Sequence, residues 1–178
     1  MPEWLYTLRD RLTAAESPRF DDYCLFSGFT HITEVVTLDS MLCCDLIGEL
    51  RAEDWQHNVH EDHRGHFLRS ATYLLNRQPL DRTKHQVIAA RERPTVSEEL
   101  PVGFTLCGYD IMDSGVENSA LTNCGPIPEA FSPSEVNELG LLNDRERACA
   151  IRDAMRSLEP NDPHLGRCEV WLLARRLP

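Results

Sequence analysis

Four strand-like segments lie at irregular intervals along this chain, and their spacing constrains the fold more than any other feature of the sequence. They are rich in β-branched and apolar residues and cover residues 32–38, 86–91, 103–111 and 168–175. A doubly wound parallel sheet needs strands and helices in regular alternation, which these intervals do not provide. The sequence therefore predicts an α+β fold, with a mostly antiparallel sheet of about four strands and helices packed on it as a single pair of layers. The whole chain, residues 1–178, is expected to form one domain, and a helix-dominated fold is the alternative.

Apolar residues at helical spacing, together with capping residues, indicate helices between these strands. Asp39 precedes one helix as a cap, and Ser132 forms a capping box with Glu135 at the start of another. Asn143 repeats this signature before the last helix. The predicted helices cover residues 2–16, 40–50, 51–58, 66–78, 133–139 and 144–158.

The formal net charge of −11 narrows the classes of partner. A nucleic-acid backbone requires a basic protein surface, so direct binding to nucleic acid is not expected. A partner protein with a basic surface would instead be attracted over a distance. Lys84 is the single lysine among the 18 Lys and Arg residues, a bias that is typical of proteins from GC-rich bacterial genomes.

The sequence shows neither a membrane span nor an export signal. No apolar run approaches the roughly 20 residues that a membrane helix needs, and the N-terminus lacks the basic and apolar regions of a secretory signal. The seven cysteines include no Cys-x-x-Cys pair, and without export they are expected to stay reduced. We therefore expect a cytoplasmic protein with no membrane partner. No cofactor is expected either, because no P-loop, dinucleotide fingerprint or Gly-x-Ser-x-Gly motif occurs.

A run of histidines within residues 57–66 is the one segment that composition and periodicity do not explain. His57, His60, His63 and His66 recur at every third position. On an α-helix a step of three drifts around the axis, so all four converge only on a 3₁₀ turn or on irregular chain. One hypothesis is a metal site, since imidazole is the commonest metal ligand. The other is a turn fixed by side-chain hydrogen bonds of His60 and Asp62, with His57, His63 and His66 solvated. Repulsion among protonated histidines would loosen the fold between about pH 7 and pH 5.

Cys124 is a second candidate, because it lies between Asn123 and Gly125 in a long irregular segment. A thiol nucleophile needs an exposed loop and a base, and His31 or His164 could supply the base. The competing interpretation is a small buried thiol in a tight turn.

A group of oxygen-bearing side chains follows the third predicted strand and is the third candidate. Asp110, Asp113, Glu117 and Asn118 could hold Mg²⁺ or Ca²⁺ there. The calcium-loop pattern is absent, however, and the same residues are ordinary in turns.

The leading hypothesis for function is a small bacterial protein that binds a partner protein, most concretely as an immunity- or antitoxin-type inhibitor of a basic enzyme. It rests on the acidic charge and on the absence of a catalytic motif. One alternative is a metal-binding module or metal-dependent enzyme centred on residues 57–66. Another is a nucleic-acid mimic, which the arginines interspersed among the acidic residues disfavour. The residues expected to bind the partner are His57, His60, Asp62, His63, Arg64 and His66.

Overall fold

An antiparallel sheet of four strands is the framework of the protein. The computed structural model describes residues 4–15, 20–21, 23, 28–39, 42, 81–116, 118–123 and 129–176. The strands in these residues are β1 (Leu5–Asp10), β2 (Leu12–Thr13), β3 (Glu34–Val35), β4 (His85–Glu92), β5 (Phe104–Met112) and β6 (Glu169–Arg176). The sheet has the order β1-β4-β6-β5, and β2 pairs separately with β3. All of these pairs are antiparallel, so the predicted four-stranded antiparallel sheet is confirmed.

The strands β4, β5 and β6 form where the apolar segments 86–91, 103–111 and 168–175 predict them. β6 lies between the other two, with Leu173 opposite Ala90 of β4 and opposite Gly108 of β5. Burial on both faces of β6 explains its nearly continuous apolar sequence from Val170 to Ala174. The remaining predicted strand, residues 32–38, does not join this sheet, in which β1 is the fourth strand. Within residues 32–38 only Glu34–Val35 is a strand, and it pairs with β2 as β3.

The predicted first helix over residues 2–16 is wrong, because this part of the chain forms β1 and β2. Leu5 and Leu8 are three residues apart, a spacing that also suits a helix. In the structure they belong to apolar clusters on different sides of the sheet, with Thr7 and Arg9 buried as well. Pairing of all six β1 residues with β4 therefore decides the conformation.

The predicted helix over residues 133–139 is wrong beyond its first turn. The capping box of Ser132 and Glu135 is present, but it begins a single 3₁₀ turn, Pro133–Glu135. Val136 is already extended. The Asn137 side-chain oxygen then accepts hydrogen bonds from the backbone N–H groups of Leu139 and Leu141. A side chain that binds nearby backbone in this way competes with helix formation.

The helix α1 (Arg145–Leu158) covers one side of the sheet. Asp144 caps it by accepting a hydrogen bond from the Arg147 N–H, so the cap lies one residue after the predicted Asn143. Its buried residues are Ala148, Ile151 and Met155, which pack in one cluster with residues of β5 and β6. The described residues thus combine an antiparallel sheet with a packed helix. The helices predicted within residues 40–78 lie outside the described residues, apart from Leu42.

Glu34 joins the small β2–β3 pair to the main sheet. Its carboxylate accepts two hydrogen bonds from Arg11, at 2.9 and 3.0 Å, and one from Arg175 of β6 at 2.9 Å. Burial opposes ionisation of Glu34, but the two guanidinium groups outweigh it and lower the pKa of this carboxyl. The carboxylate is therefore a structural anion at neutral pH.

We expect Glu34→Gln to lower the free energy of unfolding by about 2 kcal/mol at pH 7, since hydrogen bonds between charged groups are lost. Because the pKa of Glu34 is lowered in the folded state, this contribution is complete above about pH 4.5 and declines as the pH falls. Urea unfolding at pH 7 and pH 3 measures both effects. The exposed Glu99→Gln is the matched control, and equal stability of the two variants at pH 7 would contradict the structural role of Glu34.

Candidate functional site

The residues that the sequence singles out for partner or metal binding lie outside the described residues. This applies to His57, His60, Asp62, His63, Arg64 and His66, and also to Glu117 and Cys124. Their roles stay predictions. Of the bases considered for Cys124, His31 contacts the Val136 carbonyl through Nε2, and His164 lies beside Asp113.

Three buried carboxyl groups are hydrogen-bonded to the loop that follows β5, and we call Asp39, Asp110 and Asp113 the aspartate cluster. Their exposed fractions are 0%, 0% and 2%. Asp110 lies on β5, and Asp39 follows β3 in the segment 36–39. A carboxyl group without water must obtain its hydrogen bonds from the protein.

Residues of distant segments supply hydrogen bonds to Asp110. Thr37 donates its hydroxyl to Asp110 Oδ2 at 2.6 Å, and Ser119 donates its hydroxyl to Oδ1 at 2.7 Å. The backbone N–H of Ile111 also donates to Oδ1. All three donors are neutral. Burial therefore outweighs these hydrogen bonds and raises the pKa of Asp110 to about 6.

The other two carboxyl groups of the aspartate cluster are bound by the same loop. Asp39 Oδ2 accepts from the Asn123 amide at 2.7 Å and from the Ser119 N–H at 3.2 Å. Asp113 Oδ2 accepts from the Asn118 amide at 2.9 Å and lies 3.0 Å from His164 Nδ1. Residues 118–123 therefore hold donors for every member of the cluster.

The aspartate cluster includes two residues that the sequence analysis offers as cation ligands, Asp110 and Asp113. Their oxygens accept hydrogen bonds from protein groups instead. Across the described ranges, no group of three or more His, Cys, Asp or Glu side chains could hold a metal ion. The metal hypothesis for residues 57–66 concerns a part of the chain that these ranges do not include.

Two described cysteines, Cys107 and Cys168, are buried in the apolar core. Burial raises the pKa of each thiol to about 11. At neutral pH both are protonated, so they are poor nucleophiles and poor metal ligands. Packing in the apolar core accounts for these two cysteines.

Exposed side chains lie at and just before the beginning of β5, and we call Val102, Thr105 and Leu106 the β5 patch. Val102 is 100% exposed and Leu106 is 45% exposed. Thr105 is exposed as well, and its side chain lies on the opposite face of the strand from that of Leu106. These exposed residues lie between Phe104 and Cys107, which are buried, or just before Phe104.

The backbone beside the β5 patch is at an edge of the sheet, because β5 is a terminal strand in the order β1-β4-β6-β5. Further along the strand, the outer side is already occupied: Tyr109 exchanges two backbone hydrogen bonds with Leu142, and Ile111 accepts one from Ala120. Among the described residues, no such backbone pairing covers the outer side of Leu106. An edge of this kind can bind another chain.

The loop that presents Val102 is fixed at several points. Arg145 donates to the Pro94 carbonyl, and Arg91 pairs with Glu98 at 2.6 Å. The Phe104 N–H donates to the Pro101 carbonyl across Val102 and Gly103, whose φ of +81° is typical of a type II turn. Val102 is therefore held in place at the tip of an ordered turn.

The chain matches no protein-family model, no curated protein and no solved structure. Within the described part of the chain, no helix is both long enough and apolar enough to cross a membrane.

Sequence reasoning missed the β5 patch, although one signal was present. Pro101-Val102-Gly103 is a turn sequence that places an apolar side chain at an exposed position. Thr37 and Ser119 were missed for another reason, since only the folded chain brings them to Asp110.

Proposed function

We propose that this protein is a protein-binding factor, most concretely an inhibitor of the immunity or antitoxin type, that holds its partner on the β5 patch. The fully exposed Val102 is the observation that carries the proposal. A large apolar side chain at the tip of a fixed turn loses little conformational entropy when a partner covers it. The neighbouring edge of β5 offers backbone hydrogen-bonding groups to the same partner.

The net charge of the whole chain supports a basic partner. Glu34 pairs with Arg11 and Arg175, and Glu169 pairs with Arg93, Arg152 and Arg156. Arg152 also pairs with Asp153, so five arginines share three carboxylates and these regions are locally cationic. Because the whole chain has a net charge of −11 and Arg175 lies opposite Thr105 in the β5–β6 pairing, the acidic excess lies away from the β5 patch and acts on a basic partner only over a distance. A field of that sign accelerates encounter with a basic protein, while the apolar contact provides the short-range affinity.

A comparison of variants tests the proposal. The native protein is immobilised, proteins retained from a native lysate are identified by mass spectrometry, and the retained protein is purified for calorimetry. We expect the double variant Val102→Glu, Leu106→Glu to weaken binding at least about tenfold, since it places charges in an apolar contact. Circular dichroism should show an unchanged fold, because both side chains are exposed.

Leu158→Glu is the matched control, because Leu158 is also an exposed apolar residue, at the C-terminal end of α1. Arg156, two residues before Leu158, donates to the Cys168 carbonyl just before β6. That end of β6 pairs with the end of β5 opposite to Leu106, so Leu158 lies away from the β5 patch. This variant should bind like the native protein. Binding by the double variant as tight as that of the native protein would contradict the proposal. A homodimer in which a second copy of this chain covers the β5 patch would contradict it as well.

A further inference from the structure

The aspartate cluster joins three segments that are distant in sequence: residues 36–39, β5 and residues 118–123. Ser119 connects two of the carboxyl groups directly, since its N–H donates to Asp39 and its hydroxyl donates to Asp110. The loop is also attached to the strand by the Ala120 N–H, which donates to the Ile111 carbonyl at 2.7 Å. The hydrogen bonds at Asp110 therefore belong to the contact that holds the loop on the sheet.

The charges around Asp110 disfavour ionisation of its carboxyl group. Asp39 lies close enough to act on Asp110 by repulsion. Asp113 is three residues further along the chain and lies beside His164, whose side chain is about half exposed. The guanidinium group of Arg9 is directed to the Leu38 carbonyl, next to Asp39. None of the hydrogen bonds to Asp110 comes from a cationic group, so ionisation there is compensated only by neutral donors.

A proton on Asp110 can be accommodated without loss of hydrogen bonds. When Oδ2 carries the proton, it can donate to Thr37 Oγ1 across the same 2.6 Å contact. The Thr37 hydroxyl can then turn its own proton to Met112 Sδ, which lies 3.7 Å from Oγ1. The neutral and ionised carboxyl groups are thus both compatible with the fold, but only the ionised one faces Asp39 as a second negative charge.

We propose that protonation of Asp110 controls how tightly residues 118–123 are held against β5, so that this loop is held more tightly in mildly acidic solution than at neutral pH. The direction follows from linkage. The pKa of Asp110 is raised from 3.8 to about 6 in the folded protein, so between these values the folded state binds a proton that the unfolded state has released. Lowering the pH through 6 therefore stabilises the folded state. Carboxyl groups with a lowered pKa, such as Glu34 and Glu135, act in the opposite direction and mostly below pH 4.5.

The test compares the native protein with Asp110→Asn at pH 7.5 and pH 5.0. Urea unfolding should show that the folding equilibrium constant of the native protein gains about tenfold relative to that of the variant as the pH is lowered. Hydrogen exchange of the Ala120 amide, corrected for its intrinsic pH dependence, should slow by a similar factor in the native protein only. Asp153→Asn, a change of an exposed aspartate, should behave like the native protein.

A second measurement keeps the proposal testable if Asp110→Asn does not fold. In the native protein, the amide signals of Ile111 and Ser119 should titrate with a midpoint near pH 6, because their residues hydrogen-bond Asp110. A midpoint below about pH 4.5 would overturn the proposal. Equal pH profiles of the native protein and the Asn variant would overturn it as well. If global stability changed with pH but the exchange rate of the Ala120 amide did not, protonation of Asp110 would not control residues 118–123, and the proposal would be overturned.

Discussion

Replacing Trp171 by alanine is expected to lower the free energy of unfolding by about 3–5 kcal/mol, because it removes the largest fully buried side chain described in the sheet. Trp171 is 1% exposed and lies on β6, opposite Glu92 of β4 and Asp110 of β5. Its cavity would lie on one face of the sheet, among buried residues of the same apolar cluster such as Leu38, Ile88 and Met112, which can fill it only in part. The cost should therefore fall in the upper part of the usual range for such substitutions.

Urea unfolding measures this loss as a lower midpoint at an unchanged slope. Leu158→Ala provides the control, because Leu158 is 46% exposed and its truncation should change stability by no more than about 0.5 kcal/mol. A loss below about 1 kcal/mol for Trp171→Ala would show that the centre of the sheet is not packed as described.

Replacing Gly108 by alanine is expected to cost at least about 3 kcal/mol, from backbone strain and overpacking together. Gly108 has a φ of +143°, and a Cβ atom there would lie 2.7 Å from the Leu142 carbonyl oxygen and 2.8 Å from Leu141 Cβ. The first of these is a backbone atom, which cannot turn away. Gly108 lies at the irregularity in the β5–β6 pairing, between Leu106 and Gly108. Because the added Cβ atom would overlap residues 141 and 142, the substitution would push this segment away from β5.

Gly103→Ala separates the two causes. Gly103 also has a positive φ, +81°, but a Cβ atom there would have no neighbour within 4 Å. It should cost only about 1 kcal/mol, the strain of the left-handed conformation. Comparable costs for the two variants, measured by thermal or urea unfolding, would show that close contact at Gly108 contributes nothing.

The parts of the fold that sequence predicts best are those in which local pattern and tertiary environment agree. β4, β5 and β6 are apolar because they are buried, and the pattern identifies them directly. Residues 5–12 show the opposite case, since the spacing of their leucines favours a helix, and pairing of β1 with β4 overrides it. At residues 133–139 the capping box is correctly identified, but it cannot reveal that the Asn137 side chain binds the following backbone.

At the aspartate cluster, too, sequence identifies what the local pattern shows and misses what the tertiary environment supplies. Sequence identifies Asp110 and Asp113 as a pair of interest, because they are carboxyl groups at the end of an apolar strand. It cannot identify their partners, since Thr37 lies 73 residues from Asp110 and His164 lies 51 residues from Asp113. Without these partners, a hydrogen-bonded interior cluster and a cation site have the same signature. The pH effects also differ in sign: repulsion among histidines would weaken the fold on acidification, whereas Asp110 strengthens it.

The central position of β6 has a consequence for synthesis on the ribosome. β4 and β5 follow each other in the chain but do not pair, because β6 occupies the place between them. While residues 169–176 are still inside the exit tunnel, both earlier strands are without their shared neighbour, and each presents a row of open amide and carbonyl groups. The newly made chain is therefore most vulnerable to aggregation after β5 has emerged and before β6 arrives, the interval in which a chaperone would protect it.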